Sequence, residues 1–208
     1  MSQSSLANRG IKRHILTARA LLISASLFGG GALLAPALAS AEKAEQQPVQ
    51  RAAVEVVREF LENTAPDKVD SAAKRLVAAD ATYVSLNFHN PELKQIEPWA
   101  GTSQGPEAFS NTFSRVAKYW KIEDFQVTDM FGTGDNVAVF GNFTYRSVAV
   151  GTSFRSPFSI HAKVNNGKIV YFQFMEDTYA SAASFRQSGS WTVKTDPSAP
   201  AFEVGKKK

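Results

Sequence analysis

Residues 158–177, FSIHAKVNNGKIVYFQFMED, decide the fold because they predict a β-hairpin that ends in two acids. Asn166 and Gly167 are the strongest short hairpin signal in the chain, since a type I′ turn needs positive φ at both central residues. The flanking runs are rich in Ile, Val, Phe and Tyr, which favour strands. A two-residue turn pairs Val164 with Ile169 and predicts an unbroken register from there.

That register sorts the hairpin into two faces, because side chains alternate along a strand. One face is mostly apolar and ends in a carboxylate, which makes it the first candidate for function. This face carries Phe158, Ile160, Ala162, Val164, Ile169, Tyr171, Gln173, Met175 and Asp177. The opposite face carries Ser159, His161, Lys163, Val170, Phe172, Phe174 and Glu176.

The rest of the chain predicts helices first and strands later. Apolar residues at helical spacing predict helices over residues 49–64 and about 67–79, and a third helix begins at Gly105. Residues 82–88 predict a strand, and the prolines and glycines of residues 89–105 predict a long loop. Strands follow from residue 122. The order predicts an α+β fold, in which a bent sheet that wraps a long helix would enclose a mostly apolar hollow.

The first 41 residues have the pattern of a secretory signal peptide. A basic start precedes the apolar run of residues 21–38, and small residues then offer cleavage after Ala39 or Ala41. An uncleaved membrane anchor is the alternative. We expect a protein exported to the periplasm or secreted, with no membrane association after cleavage. Residues 42–48 then form a flexible lead, residues 49–186 one domain, and residues 187–208 a C-terminal tail.

Composition excludes several classes of function. The predicted signal peptide carries four of the 23 basic residues and none of the 19 acidic ones, so the remaining chain is formally neutral and offers no surface suited to nucleic acid. The chain has no cysteine, which excludes disulfides and thiol nucleophiles. Three histidines, and no phosphate-binding or nucleophile-elbow motif, lead us to expect neither a metal nor another cofactor.

Several short stretches resemble the nuclear transport factor 2-like superfamily, in its SnoaL-like and ketosteroid-isomerase-like branch. They are PWAGT at residues 98–102, GDNVAV at 134–139, NGKIV at 166–170, and Asp177 followed by Thr178. The resemblance implies a cone-shaped α+β fold, in which a curved antiparallel sheet wraps three helices of the N-terminal half and encloses a deep hydrophobic pocket. It also implies homodimers formed through the outer sheet face. Members of this superfamily include isomerases, cyclases, epoxide hydrolases and dehydratases, while others only bind or associate. It also places the family's acidic position on Asp177.

Asp177 has two interpretations that the sequence leaves open. In an apolar pocket its charged form would be disfavoured, which would make it a usable proton shuttle. Alternatively, it caps the helix predicted from Thr178. His161 falls on the opposite face in this register, and Glu176 becomes an edge or dimer-side charge. The residues expected to line the pocket are Tyr83, His89, Trp99, Phe158, Ile160, Tyr171, Gln173 and Met175.

The leading hypothesis is a protein that binds a small apolar molecule, either as a cofactor-free isomerase, cyclase or hydrolase or as a non-catalytic binding or assembly module. Val170, Phe172 and Phe174 would form an exposed apolar strip on a monomer. Such strips usually mark interfaces. We therefore expect a homodimer through that face.

Overall fold

The structure, a computed structural model, describes residues 52–205. The signal peptide and the lead lie outside the described residues, so export and cleavage stay predictions. Within residues 52–205 no helix combines the length and apolarity needed to cross a membrane.

Helices and strands follow the predicted order, with additional short elements. The helices are α1 Ala53–Leu61, α2 Val69–Leu76, α3 Pro91–Ile96, α4 Pro106–Tyr119 and α5 Thr178–Ser184. The strands are β1 Val77–Ser85, β2 Gly101–Gln104, β3 Trp120–Thr133, β4 Asn136–Ser147, β5 Ser153–Asn165, β6 Lys168–Glu176, β7 Trp191–Val193 and β8 Phe202–Val204.

Six strands form one curved sheet in the order β2-β1-β6-β5-β4-β3. The four long strands β3 to β6 are joined by consecutive antiparallel pairings. β1 runs parallel to β6, so the sheet is mixed and not antiparallel throughout. The predicted α+β class is confirmed.

The loop predicted over residues 89–105 contains two regular elements, α3 and β2, so that part of the prediction is wrong. Pro91 is the first residue of α3, a position where the missing backbone N–H of proline costs nothing. The Asn90 side chain caps the helix by accepting a hydrogen bond from the Leu93 N–H at 2.9 Å. Proline therefore begins a helix here and does not prevent one.

An aromatic cluster joins the helices to the inner face of the sheet. Phe60 of α1 makes edge contacts with Phe109 of α4 at 5.6 Å between ring centroids and with Phe172 of β6 at 5.8 Å. Tyr83 of β1 lies 5.5 Å from Phe172. All four side chains are buried. Phe172 is therefore in the core.

The β5–β6 hairpin departs from the predicted register after its first pairs. The turn is as predicted, with positive φ at Asn166 and Gly167 and with Val164 opposite Ile169. The next pair joins Lys163 to Tyr171, which leaves Val170 as an extra residue in β6. This β-bulge shifts the alternation by one, because side chains repeat every two residues along a strand.

Beyond the bulge every predicted facing in β6 is reversed. Phe172, Phe174 and Glu176 now share the inner face with Ile160 of β5, which pairs with Phe174. The exposed strip predicted from Val170, Phe172 and Phe174 does not exist, because Phe172 is 0% exposed. The residues proposed for the dimer face are therefore wrong, whereas the dimer itself stays a prediction.

The segment after β6 docks through a short helix and a small ribbon. α5 confirms the helix predicted from Thr178. β7 and β8 form a separate two-stranded sheet within the predicted tail. The Tyr179 and Trp191 rings meet at 5.2 Å, and the Arg186 guanidinium donates to the Gly205 carbonyl.

The register predicted from the sequence and the bulged register of the structure differ in which residue of β6 should cost more stability when truncated. We expect Phe172→Ala to lower the free energy of unfolding by about 3–5 kcal/mol, because it empties a core position. Tyr171→Ala, on the outer face, should cost about 1 kcal/mol, the scale of a cross-strand contact. Urea unfolding of both variants measures this. A larger loss for Tyr171→Ala would restore the unbulged register.

Candidate active site

A small enclosed cavity, which we term the inner cavity, lies between the inner face of the sheet and α4. Its volume is about 50 Å³. The lining is mostly aromatic or aliphatic, with a few polar groups. It is formed by Tyr83, Leu86, Trp99, Thr112, Phe113, Val116, Trp120, Phe125, Tyr145, Phe174 and Glu176.

Glu176 is the carboxylic acid that lines this cavity, at the end of β6. The bulge at Val170 turns it inward, and β5 places Phe158 opposite it. Its Oε1 atom is buried without a hydrogen-bond partner. Burial raises the pKa of Glu176 to about 8, and the nearby Glu97 carboxyl adds to the increase. Glu176 is thus largely protonated at neutral pH.

Glu97, between α3 and β2, is a second buried carboxylic acid. It is 0% exposed, and neither carboxyl oxygen has a hydrogen-bond partner. Burial raises the pKa of Glu97 to about 7, with partial opposition from the neighbouring Ser181 hydroxyl. That hydroxyl donates to the Thr178 carbonyl and lies close to Glu176 as well. The two acids are thus electrostatically coupled neighbours beside α5.

Two buried phenols complete the polar part of the site. Tyr83 and Tyr145 line the cavity from β1 and β4. Burial raises the pKa of each phenol well above its ordinary value, and the Glu176 carboxyl adds to both increases. Both hydroxyls therefore stay protonated over the physiological range, where they can donate a hydrogen bond to a bound oxygen.

Helix α5 closes the cavity next to these groups. The Trp120 Nε1–H donates to Ser184 Oγ at 2.9 Å, a buried bond between the cavity wall and α5. Trp120 also stacks on Phe185 at 5.0 Å and meets the edge of Trp99 at 4.9 Å. The apolar enclosure keeps water away from Glu176, and this is the physical cause of its raised pKa.

Asp177 lies outside the cavity and begins α5. Its Oδ1 accepts hydrogen bonds from the backbone N–H groups of Tyr179 at 3.1 Å and Ala180 at 3.0 Å. Its own N–H donates to Ser156 Oγ at 2.8 Å. The side chain is an exposed N-cap, so the cap interpretation is confirmed and the pocket-facing placement is wrong.

The other predicted pocket residues fall into three groups. Tyr83 and Trp99 line the inner cavity, while Phe158 and Ile160 are buried in the surrounding core. His89 is exposed on a different groove, and its N–H donates to Asn87 Oδ1 at 3.0 Å. The residues that the bulge turns to the outer face are Tyr171, Gln173 and Met175.

On the outer face, Tyr171 donates a hydrogen bond to Gln173 and packs near His161. The Tyr171 hydroxyl is 2.9 Å from Gln173 Oε1, and its ring centroid is 5.4 Å from that of His161. His161 is therefore on the face predicted for it, away from the cavity. The proposed roles of Tyr171, Gln173 and Met175 as pocket residues have no structural basis.

Sequence reasoning missed Glu176 and Glu97 for different reasons. Glu176 could have been found from the hydrophobic pattern, since a one-residue shift at Val170 buries two phenylalanines in place of Tyr171 and Gln173. Glu97 carries no comparable signal, because nothing in the sequence separates it from the exposed acids Glu92 and Glu107 nearby. Within residues 52–205 no cluster of three or more His, Asp or Glu could hold a metal ion.

Comparison with known proteins identifies a family match over more than half of the chain. The model of the SnoaL-like domain matches residues 57–172. Patulin synthesis protein F of Aspergillus clavatus is 46% identical over 131 residues, which are 62% of this chain and 66% of that protein. Patulin biosynthesis cluster protein F of Penicillium expansum is 42% identical over 147 residues, 69% of this chain and 73% of that protein.

Among solved structures, an NTF2-like protein from Burkholderia thailandensis superimposes with a TM-score of 0.56. The superposition covers 66% of this chain and 99% of that protein, at 21% sequence identity. At this identity the similarity establishes the fold alone, and it agrees with the α+β architecture described above.

The capping role of Asp177 predicts a specific pattern of stability. Asp177→Ala should lower the free energy of unfolding by about 0.5–2 kcal/mol, because two N–H groups of α5 lose their acceptor. Asp177→Asn, which keeps a capping oxygen, should cost much less. Thermal and urea unfolding check both. Equal losses in the two variants would contradict a role limited to capping.

The buried acids predict that stability falls as pH rises. A carboxyl whose pKa is higher in the folded state than its ordinary 4.5 binds more protons when folded, so each such group destabilises the fold above pH 4.5. The loss ends near pH 7 for Glu97 and near pH 8 for Glu176. The unfolding free energy should fall with pH by at most about 1.4 kcal/mol per pH unit for each group.

Glu176→Gln isolates the contribution of one acid to this slope. The variant should roughly halve the slope of unfolding free energy between pH 5 and 7 and remove it between pH 7 and 8, because only Glu97 then titrates. Urea midpoints across this range measure it. Asp177→Asn, which removes the adjacent exposed carboxylate, serves as the control and should change the slope much less, because the charge of Asp177 is the smallest contribution to the raised pKa of Glu176. An unchanged profile in Glu176→Gln would show that this acid is not buried as described.

Proposed function

The chain belongs to the SnoaL-like domain family, and on that premise we propose that it catalyses a cofactor-free acid/base reaction on a small, mostly apolar molecule. The inner cavity is the proposed active site, and Glu176 is the proposed proton-transfer residue. The observation that carries the proposal is a carboxyl with a buried, unpartnered oxygen in a mostly apolar cavity that two phenols also line.

Glu176 has the properties of a general acid that can also act as a base. With its pKa raised to about 8, it holds a proton at neutral pH and can still release it without a large free-energy cost. It can donate that proton to one atom of the substrate and regain a proton from another. The net reaction is an isomerisation or a ring closure that consumes no cofactor.

The phenols of Tyr83 and Tyr145 supply hydrogen bonds to the reacting oxygen. Because both stay protonated, they can stabilise negative charge that develops on a carbonyl oxygen as a proton leaves the adjacent carbon. Glu97 is next to Glu176 but does not line the cavity. We assign it a positioning role, since its charge adds to the increase in the pKa of Glu176 that burial of Glu176 causes.

The size of the inner cavity favours a compact substrate. At about 50 Å³ it is smaller than the engineered cavity of about 150 Å³ that holds benzene, so a ligand must displace lining side chains. Phe125, which is 38% exposed, is the lining residue with most contact to solvent. The two relatives are named for patulin synthesis. We propose that this chain likewise acts in the synthesis of a small metabolite.

The alternative is a binding or assembly module without catalysis. The capping role of Asp177, which the structure bears out, is compatible with it. It does not explain why Glu176 holds a buried, unpartnered oxygen in an apolar cavity, where it costs free energy. Unfavourable burial of an ionisable group is common at functional sites, which favours the catalytic proposal.

A genetic and biochemical pair of experiments tests the proposal. Replacing the chain by Glu176→Gln at its own locus should cause the same small molecule to accumulate as deleting the gene does. The purified wild-type protein should convert that molecule without added cofactor, and Glu176→Gln should lose at least about a hundredfold in kcat/KM, the scale of acid/base catalysis. Asp177→Asn is the matched control and should keep its activity.

The pH dependence of kcat/KM distinguishes the two proton-transfer roles. If Glu176 acts first as an acid, kcat/KM falls as pH rises through about 8, because the proton is lost. If it acts first as a base, kcat/KM rises over the same range. Full activity in Glu176→Gln, or no metabolite change in the cell, would favour the non-catalytic alternative.

A further inference from the structure

A second hollow, the outer groove, lies on the surface between α3, β2 and α4. It has a smaller lobe of about 170 Å³ and a larger lobe of about 510 Å³. The two lobes share part of their lining, namely Lys94, Ala100, Gly101 and Thr102. The larger lobe is within the size range of small-molecule sites. The groove plays no part in the reaction proposed above.

Part of this groove is formed by regularly spaced residues of α4 and by a glycine of β2. Ala108, Asn111 and Arg115 lie along one face of α4, at spacings that align on a helix. Gly101 has φ +116°, a conformation that favours glycine. A Cβ atom there would lie 3.8 Å from Lys94 Nζ, so the ammonium group lies over the Gly101 backbone.

The charge of the groove is one-sided. Lys94 and Arg115 both line the smaller lobe, and His89 lines the larger one. Among the described residues that line either lobe there is no Asp or Glu. Neither Lys94 nor Arg115 forms an ion pair with a residue of the range 52–205, whereas Arg75 and Arg146 pair with Glu59 and Glu123.

The groove also has an apolar side. Phe88, which is 61% exposed, and Pro91 line the larger lobe, and Ala100 lies between the lobes. In the smaller lobe the Asn111 side chain is exposed and offers an amide near Arg115. One end of the groove therefore suits an anion and the other an apolar group.

We propose that the outer groove binds a small organic acid, with its carboxylate between Lys94 and Arg115 and its apolar body against Phe88. Arg binds carboxylates through paired N–H donors, and Lys supplies a point charge. Trp99 and Thr112 line both this groove and the inner cavity, so the two hollows share a wall. A bound acid would lie directly behind Trp99.

Benzoate is a suitable probe because it combines a carboxylate with a compact ring. In a titration followed by amide NMR shifts, we expect saturable changes at Gly101, Thr102 and Asn111. Benzyl alcohol, which has the ring without the charge, should cause no saturable change. Inorganic phosphate should bind more weakly than benzoate, because it has no group to contact Phe88.

Charge-removing variants locate the site. Lys94→Ala and Arg115→Ala should each weaken benzoate binding about tenfold, the scale of one hydrogen bond to a charged group. Lys118→Ala is the matched control, because Lys118 lies on the same helix, is exposed and lines neither lobe. It should leave the affinity unchanged. Since these side chains are exposed, the fold should tolerate all three changes.

Several outcomes would overturn the proposal. They are the absence of saturable shifts with benzoate, equal weakening by Lys118→Ala, shifts confined to other parts of the domain, and phosphate binding as tightly as benzoate. Glu176→Gln should retain benzoate binding in the groove. The result for the groove and the result for acid/base catalysis can therefore be judged separately.

Discussion

The extra residue at Val170 determines which acid the protein buries. A strand that keeps its alternation from Ile169 would direct Tyr171 and Gln173 to the core and leave Phe172 exposed. With one additional residue, Phe172 and Phe174 turn inward. Phe172 joins the aromatic cluster of α1 and α4, and Phe174 stacks on Phe158 of β5. The gain in buried aromatic area compensates for the local loss of ladder pairing. Glu176 follows Phe174 in the same alternation and reaches the cavity for that reason.

The inward position of Glu176 depends in turn on how α5 begins. Asp177 ends the strand by capping α5, and its N–H is held by Ser156 Oγ in β5. The chain therefore changes direction directly after Glu176. The helix then closes the site through the hydrogen bond between Trp120 and Ser184. Two adjacent acids thus have separate roles, since the exposed one stabilises a helix and the buried one lines the cavity.

Two hollows of different electrostatic character lie on either side of Trp99. The inner cavity contains a carboxyl whose pKa is raised to about 8 by desolvation, and it has no basic residue in its lining among the described residues. The outer groove is lined by two cations that remain solvated. The same short segment, residues 91–104, supplies part of both walls. A segment predicted as a plain loop therefore contributes to both candidate sites.

The sequence by itself determined the α+β class, the order of the main elements and the Asn166–Gly167 turn, and it offered the cap as one of two interpretations of Asp177. These follow from local physical causes: hydrophobic periodicity, the φ requirement of the turn and the hydrogen-bonding needs of a helix N-terminus. Tyr83 and Trp99 were also named as pocket residues from the sequence, and they line the cavity.

Only the tertiary structure decided the facing of β6 beyond Val170, the burial of Glu97 and Glu176, and the parallel pairing of β1 with β6. Whether β6 forms a bulge depends on which of its two faces gains more by being buried against the rest of the fold. A short stretch of sequence does not contain that information. The pKa of a carboxyl depends on desolvation and on charges from distant segments. Glu97 is far in the chain from Glu176 and Ser181, so its proximity to them is a property of the fold.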